Sequence, residues 1–534
     1  MKKILKASFL FILCLALTAG MMPLNTAKTV KAASTKVSAE DAADSFKLIH
    51  DMGHGINLGN TMESCGTWIN KSVTSYETAW GSPVITKTAI DGYKKAGFKT
   101  VRVPVAWSNM MSEDGKYTIN PDYMARVDEI VNWALDDGLY VVLNIHYDSG
   151  WWASFGSSKE SERKAAIEKY KAVWTQLSDH YKDYPDKLIL ETANEELSAA
   201  LNTPNEYVSD SGYYKSQDEL YDLVNEINQT CVDIIRKSGG GNSDRYILVA
   251  GFGTDIAATS DGRFKMPEDT VKGRLIVSVH FYSYLEFSSK DSKEDRKTAI
   301  NSMKNILGIA KRSFCDKGYP VIIGEYNVNV MQYSDTKYRL ELYKALIKYA
   351  CKNGMCPLIW DTATSEMYDR TKGTYLRAKE RKALKKLSKK VSKFKPYKPS
   401  EGGGDHTWKG DLGLSGWVVS EPVPTGNTGF GIIKTGNVYQ ISGVEWSALS
   451  GKTLTISATD VEGASSVTLG LGRNLNVENQ YWPVLDDPEI SRSITLSAKT
   501  VIDLSGLNLS DSDNIYISFS GAEAFSGKFT LIFE

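Results

Sequence analysis

Between Asp41 and about Phe394 the chain alternates eight short, strongly apolar runs with longer amphipathic stretches, and this alternation restricts its fold more than any other feature. The runs are GINLGN from Gly55, VRVPVAW from Val101, YVVLNIHYD from Tyr140, LILETANEE from Leu188, YILVAGF from Tyr246, LIVSVHFY from Leu275, VIIGEYN from Val321 and PLIWDT from Pro357. Continuous Val/Ile/Leu runs read as strands buried on both faces, and helical stretches of this length between them imply parallel pairing through right-handed crossovers. Eight such units close into a ring. The expected class is therefore α/β, a (β/α)8 TIM barrel.

Nearly every run begins apolar and ends polar or aromatic: Asn60, Trp107, His146, Asn194 with Glu195, His280 with Tyr282, Glu325, and Trp360 with Asp361. In such a barrel the C-terminal strand ends share one mouth, where reactive groups reside. The pattern therefore outlines a polar pocket.

The flanks read differently. Lys2, Lys3 and Lys6, the apolar run Ala7–Leu17 and the small residues near Ala32 give residues 1–32 the form of a secretory signal, and the run is too short to span a bilayer. A secreted, extracellular protein is expected, with no membrane association after cleavage and no lipid attachment at Cys14. The barrel is assigned residues 33–395. Its last helix is expected in the Lys-rich stretch Lys372–Lys398, where Leu376, Leu384, Leu387 and Val391 recur at helical spacing; a solvated outer face explains the lysines better than a polyanion site. PYKPSEGGGD, residues 396–405, reads as a linker. Residues 406–534 lack Cys and Met and carry about eight short strand-like runs between Gly, Asn, Asp and Ser turns, which predicts a smaller all-β sandwich of jelly-roll type.

A net charge of −1 with 24% charged residues supplies no global field for nucleic acid, so none is expected as a partner. Without Cys14, five cysteines remain at no metal-ligand spacing; buried thiols are the favoured reading, with one bridge left open.

The chemistry lies in paired carboxyl groups. Hydrolysis of a glycosidic bond needs a proton donor at the leaving oxygen and a second carboxylate below the anomeric carbon, about 5 to 5.5 Å apart if configuration is retained. Glu195 ends the fourth strand and Glu325 the seventh, so the two stand across the ring from each other. A surface glutamate is far commoner, but both follow apolar strand residues. Glu191 reads as a buried structural acid paired with Arg102 or a neighbour, and alternation points Glu196 away from the pocket. Two histidines with carboxylates also suit a metal, yet no HExxH or other ligand spacing occurs, so neither metal nor cofactor is expected.

Taken in order, VRVPVAW, LNIHYD, ETANEE, VSVHFY, IIGEYN and LIWDT resemble the strand-end motifs of glycoside hydrolase family 5 over roughly Asp41 to Phe394. The resemblance implies a secreted retaining endo-β-1,4-glucanase acting on a β-linked plant polysaccharide such as cellulose, mixed-linkage glucan or xyloglucan, and monomeric. A β-mannanase, or a non-catalytic polysaccharide-binding surface protein, is the alternative. It implies Glu195 as acid/base and Glu325 as nucleophile, with Asn194 on the sugar 2-hydroxyl, Arg102 and Tyr282 holding the nucleophile, His146 and His280 lining the pocket, and Trp360 as a stacking platform. Glu196 departs from the usual proline after the acid/base, Tyr147 from a frequent second histidine, and Ile359 from a frequent tryptophan. Trp68, Trp80, Trp151 and Trp152 are candidate sugar-stacking residues, the Trp151–Trp152 pair foremost. The tail resembles a carbohydrate-binding module in layout, with Trp417, Trp446, Tyr481 and Trp482 as candidate contacts; its 15 acidic against 7 basic residues from Asp405 argue against anionic surfaces.

Overall fold

A computed structural model describes residues 37–282, 293–327, 336–363 and 367–399, together with strand segments between 407 and 533. The signal expected over residues 1–32 and the second half of the expected linker lie outside the described residues.

Eight strands, β1 (Gly55–Asn57), β2 (Thr100–Val103), β3 (Tyr140–Asn144), β4 (Leu188–Glu191), β5 (Ile247–Ala250), β6 (Leu275–Phe281), β7 (Val321–Tyr326) and β8 (Met355–Ile359), close into a barrel in sequence order. Every neighbouring pair is parallel, and β1 joins both β2 and β8. Each strand coincides with one of the eight runs, and β8 starts two residues before its run. Six strands stop short of the ends of their runs, whereas β6 and β7 extend through His280 and Glu325. At the end of β3 the Trp107 indole donates to the Asn144 carbonyl at 2.9 Å, and that of Trp152 donates to the His146 carbonyl at 3.1 Å.

Side-chain alternation divides the apolar residues into two layers. Val142, Ile189, Leu248, Ile276, Ile322, Cys356 and Leu358 meet inside the ring, joined by Ile49 and Met52 from the helix Ala43–Met52. That helix sits at the N-terminal ends of the strands, where the Thr100 hydroxyl donates to the Met52 carbonyl at 2.9 Å. The alternate residues, among them Val101, Val141, Leu188, Val277, Val321 and Ile323, pack outward with Tyr170, Trp174 and Leu177 of the helix Glu160–Tyr181. Burying each such side chain contributes about 1.5 to 3 kcal/mol. Helix starts are specified locally. Asn120 accepts from the Asp122 and Tyr123 amides ahead of Pro121, and Ser216 with Glu219 forms a reciprocal capping box at the helix Gln217–Lys237.

The last barrel helix is shorter than the Lys-rich stretch suggested. It runs Ala378–Val391 and buries Leu384, Leu387 and Val391, whereas Leu376 is 53% exposed. Thr374–Tyr375 instead pairs antiparallel with Tyr368–Asp369, a hairpin that carries Arg370 inward to the buried Asp361. Tyr397, within the stretch read as linker, packs its ring on Phe46 at 5.2 Å and bonds its hydroxyl to Asp316. All five described cysteines are free thiols. No described helix is long and apolar enough to cross a membrane.

Beyond residue 407 the strands are all antiparallel. Thr407–Leu414, Phe525–Phe533, Thr453–Glu462 and Thr500–Asp503 form a four-stranded sheet, and Glu421–Val423, Gly431–Thr435, Val438–Ser442, Ile515–Ser520, Ser466–Gly472 and Ile490–Thr495 a six-stranded one. Trp417, Trp446, Tyr481 and Trp482 lie outside the described residues.

Candidate active site

The interior layer turns polar toward the C-terminal strand ends. Asn57, Arg102, Asn144, Glu191 and Ser278 occupy the inward positions above the apolar cluster, each fully buried. Arg102 is the hub. Its Nε donates to Glu191 at 2.7 Å, Nη1 to Asn57 at 3.1 Å and to Glu325 at 2.8 Å, and Nη2 to the Asn194 side-chain amide oxygen Oδ1 at 2.8 Å. Glu191 also accepts from Asn144 at 3.0 Å and from the Ser278 hydroxyl at 2.6 Å, so it is the buried structural acid expected. Asn57, Asn144 and Ser278 escaped the sequence reading. Their signal was there: each is polar at an inward-facing position of an otherwise apolar run.

Glu325 reaches this network through a register slip. Val321 and Ile323 face the helices and Ile322 faces the interior, so strict alternation gives the next inward place to Gly324 and turns Glu325 outward. The ladder between β6 and β7 skips a residue here: Val279 pairs with Ile323, but His280 pairs with Glu325. Such a bulge re-aims the side chain after it. Glycine permits the slip, since a Cβ at Gly324 would lie 3.0 Å from His280 Nε2 and 3.2 Å from the Ser278 hydroxyl. The Asn57 amide fastens the bulge by donating to the Gly324 carbonyl at 2.8 Å.

Glu195 arrives differently. β4 ends at Glu191, so Glu195 does not end a strand as read from the sequence but sits in a turn beyond it. His280 Nδ1 lies 2.7 Å from Glu195 Oε1. Because His280 Nε2 is buried without a partner, Nδ1 is the ring nitrogen that donates to Glu195. One oxygen of Glu195, one of Glu325 and a His280 nitrogen all fall within 4.8 Å of one another. Exposure separates the two acids: the Glu195 side chain is 50% exposed and that of Glu325 7%.

The remaining predicted residues gather around this pair. The Tyr282 hydroxyl donates to Glu325 Oε2 at 2.8 Å, and His146 Nε2 lies 3.9 Å from Glu325 Oε1. The half-buried Trp360 ring lies parallel to His146, 4° apart in plane and 5.9 Å between centroids. All eight predicted site residues therefore meet at one mouth. The Trp151–Trp152 pair does not serve as a platform. The two rings stack at 4.6 Å and are 8% and 1% exposed, inside the outer core with Phe155 and Tyr170. Trp68 remains 68% exposed. Glu196 also departs from expectation: it is 7% exposed and accepts weakly from the Asn194 amide, because strand alternation no longer governs a turn residue.

Electrostatics follow from these contacts. Burial pushes Glu325 upward, but His280 and Arg102 outweigh it and hold the carboxyl below its ordinary range against the opposing Glu195 charge. Glu195 is likewise held low: burial raises it, and the His280 hydrogen bond and charge, with Arg102 behind, more than offset that. Burial, reinforced by the Arg102 charge, depresses His146 to about 3, so it is a neutral imidazole. Glu195, His280 and Glu325 are the described residues that could hold a cation, but Arg102 sets a fixed positive charge 2.8 Å from Glu325 against that role.

Comparison with known proteins agrees with the geometry. Residues 62–366 match the family model described as cellulase, glycosyl hydrolase family 5. Endoglucanase A of Clostridium longisporum is 33% identical over 358 residues, an alignment spanning 66% of each chain and so just under two thirds of that relative's length. The xyloglucan-specific endo-beta-1,4-glucanase of Bacteroides ovatus is 30% identical over 355 residues, 62% of this chain and 67% of that one. A solved broad-specificity endoglucanase from an uncultured bovine rumen ciliate superposes with a TM-score of 0.55 at 29% identity, covering 65% of this chain and 98% of its own. With the barrel, the mouth and these matches in agreement, the chain belongs to glycosyl hydrolase family 5 and is an endoglucanase-like glycoside hydrolase.

Proposed function

We propose that the chain is a secreted retaining endo-β-1,4-glucanase that cleaves β-glucan polysaccharides, cellulose, mixed-linkage glucan or xyloglucan, by double displacement. The observation that carries the reading is the approach of Glu195 and Glu325 oxygens to within 4.8 Å. That spacing suits direct attack by one carboxylate; an inverting pair stands about 6.5 to 9.5 Å apart to admit a water.

In the first step a Glu325 oxygen attacks the anomeric carbon, the bond to the leaving glucan oxygen breaks, and Glu195 gives that oxygen its proton. In the second, Glu195 takes a proton from water, the water oxygen attacks the anomeric carbon, and the ester to Glu325 breaks. The recessed Glu325 is kept ionised by Arg102 and oriented by Tyr282. Glu195 must be protonated against the bias His280 imposes in the empty site. A bound sugar works in that direction, because it strips water from a half-exposed carboxyl and desolvation favours the neutral form. Asn194, steered by Arg102, would donate to the sugar 2-hydroxyl, and Trp360 would stack on the ring.

The xyloglucan-specific relative supports a branched glucan among the substrates. Release of residues 1–32 on secretion, a monomeric state and a sugar-binding role for residues 406–534 belong to the same proposal. The test is reducing-sugar release from soluble glucans, xyloglucan and mannan with wild type and Glu325→Gln, together with proton NMR of the first anomer formed. Loss of at least about 10³-fold in the variant and a β product are expected. An α product, or near-normal turnover by the variant, would refute the two-glutamate mechanism, and preference for mannan would move the chain to the alternative substrate.

A further inference from the structure

Among the described residues, Glu196 is an acid close to the catalytic pair that the mechanism leaves unused. Its side chain is 7% exposed, Oε1 accepts from Asn194 Nδ2 at 3.4 Å, and Oε2 is buried with no hydrogen-bond partner. Tyr147, on the loop after β3, lies close by, and the carboxyl groups of Glu195 and Glu325 are near enough for their charges to act on Glu196. Burying a carboxyl with one oxygen unsatisfied is costly, and such a group in a native fold calls for a physical reason.

The reason lies in the Asn194 amide. Its oxygen accepts from Arg102 at 2.8 Å, and one of its two N–H groups faces Glu196, which leaves a single N–H unused. A flip of the amide would set NH2 against the guanidinium and forfeit the bond to Glu196 Oε1. Resting on the reading of Asn194 as the 2-hydroxyl donor, we propose that Glu196 is a positioning residue that fixes this amide so that its free N–H points at the 2-hydroxyl of the reacting sugar. The 3.4 Å contact is long, as hydrogen bonds in an empty catalytic site commonly are before substrate tightens them. Burial and the neighbouring Glu195 charge push the Glu196 carboxyl up to about 8, so at neutral pH it keeps an acceptor oxygen without adding a third negative charge to the site.

The experiment compares kcat and KM on an aryl β-glucan oligosaccharide and on its counterpart lacking the 2-hydroxyl of the reacting sugar. The readout is the ratio of the two kcat values, in which any loss of folded enzyme cancels. Glu196→Leu should lose about tenfold in kcat on the hydroxylated substrate, with KM within about threefold, and nothing further on the deoxy substrate, the scale of one hydrogen bond made in the transition state. Glu196→Gln, which retains the acceptor oxygen, should restore the wild-type ratio, and Glu196→Met replaces Leu if that variant is insoluble. Asn194→Ala tests the underlying reading and should lower the ratio at least as far. If Asn194→Ala leaves the ratio at its wild-type value, the 2-hydroxyl reading falls and takes this inference with it. If Asn194→Ala lowers the ratio while Glu196→Leu does not, or if Gln fares no better than Leu, the role of Glu196 alone is overturned.

Discussion

Replacing Arg102 by methionine tests the network at its centre. Methionine matches the length of the stem and fills the space flexibly, but it removes all four donated bonds, to Glu191, Asn57, Glu325 and Asn194. The two acids left behind are 0% and 7% exposed, so water cannot replace the guanidinium. Breaking a buried ion pair by removing one partner costs about 3 to 5 kcal/mol. At an unfolding entropy of about 2.1 cal/mol/K per residue over a barrel of roughly 360 residues, that lowers Tm by about 4 to 7 °C in calorimetry at pH 7. A second readout follows from Glu325. Its folded pKa lies below the ordinary carboxyl value, so it contributes stability above that value, and the contribution is lost as pH falls through the folded pKa. Without Arg102 the depression shrinks. The Tm gap between wild type and variant should therefore narrow as pH drops below about 4.5, and the acid limb of kcat/KM should move to higher pH. Arg102→Lys keeps the charge but not the planar fork, and should lose less Tm while leaving the acid limb nearly in place. An Arg102→Met enzyme with unchanged Tm and an unchanged acid limb would show that the guanidinium neither offsets the burial of these acids nor keeps Glu325 ionised.

Three further outcomes are expected. Gly324→Ala places a methyl group 3.0 Å from His280 Nε2, so the imidazole must shift from Glu195; kcat should fall about 10²-fold with little change in Tm, and an active, equally stable variant would remove the bulge from the argument. His54, 2% exposed and 2.6 Å from the Ser388 hydroxyl, is pushed down to about 4 by burial; between pH 6.5 and 4 the unfolded chain takes up a proton that the folded chain refuses, so stability declines as pH falls, and His54→Gln should flatten the Tm curve there, whereas parallel curves would refute the assignment. Ending the chain after Pro399 should weaken retention on insoluble glucan in a pull-down while sparing turnover of soluble glucan, because a tethered binding module acts by raising local concentration; unchanged retention would argue against that role.

What the sequence made legible was whatever local pattern controls. Eight buried strands announce themselves as apolar runs, and their polar tails named the residues that meet at the mouth, since the ring carries every C-terminal strand end to one place. What it hid was register. Nothing in VIIGEYN says that Gly324 is passed over in the ladder, and without that slip the alternation of the run turns Glu325 toward the helices. The same limit explains Glu195 and Glu196: the ladder of β4 ends at Glu191, so parity beyond it had no meaning. Trp151 and Trp152 misled for a related reason. A loop aromatic can face sugar or core, and here Asp148 and Ser149, both with positive φ, reverse the chain and fold the two indoles inward, Trp151 Nε1 donating to Asp148 at 2.8 Å.

The polar interior also shows why a cation belongs so deep in this barrel. One guanidinium faces two buried carboxyl groups, and a third acid stands at the rim on His280, so the pocket floor holds fewer positive than negative groups. In the empty site that imbalance is tolerated because Tyr282 and Ser278 donate to the carboxyl oxygens that Arg102 does not reach, and Asn144 adds a second bond to the Glu191 oxygen that Arg102 holds. In the proposed mechanism, positive charge developing at the anomeric carbon would meet a carboxylate already ionised, already oriented and shielded from water, so the electrostatic gain would be realised mainly in the transition state. A weaker hub would let the Glu325 carboxyl rise out of its depressed range, and a further fixed cation beside it would oppose the developing charge. A single arginine shared between one structural acid and one reactive acid satisfies both constraints, and Glu191 is thereby as necessary to the chemistry as a residue that never touches the sugar can be.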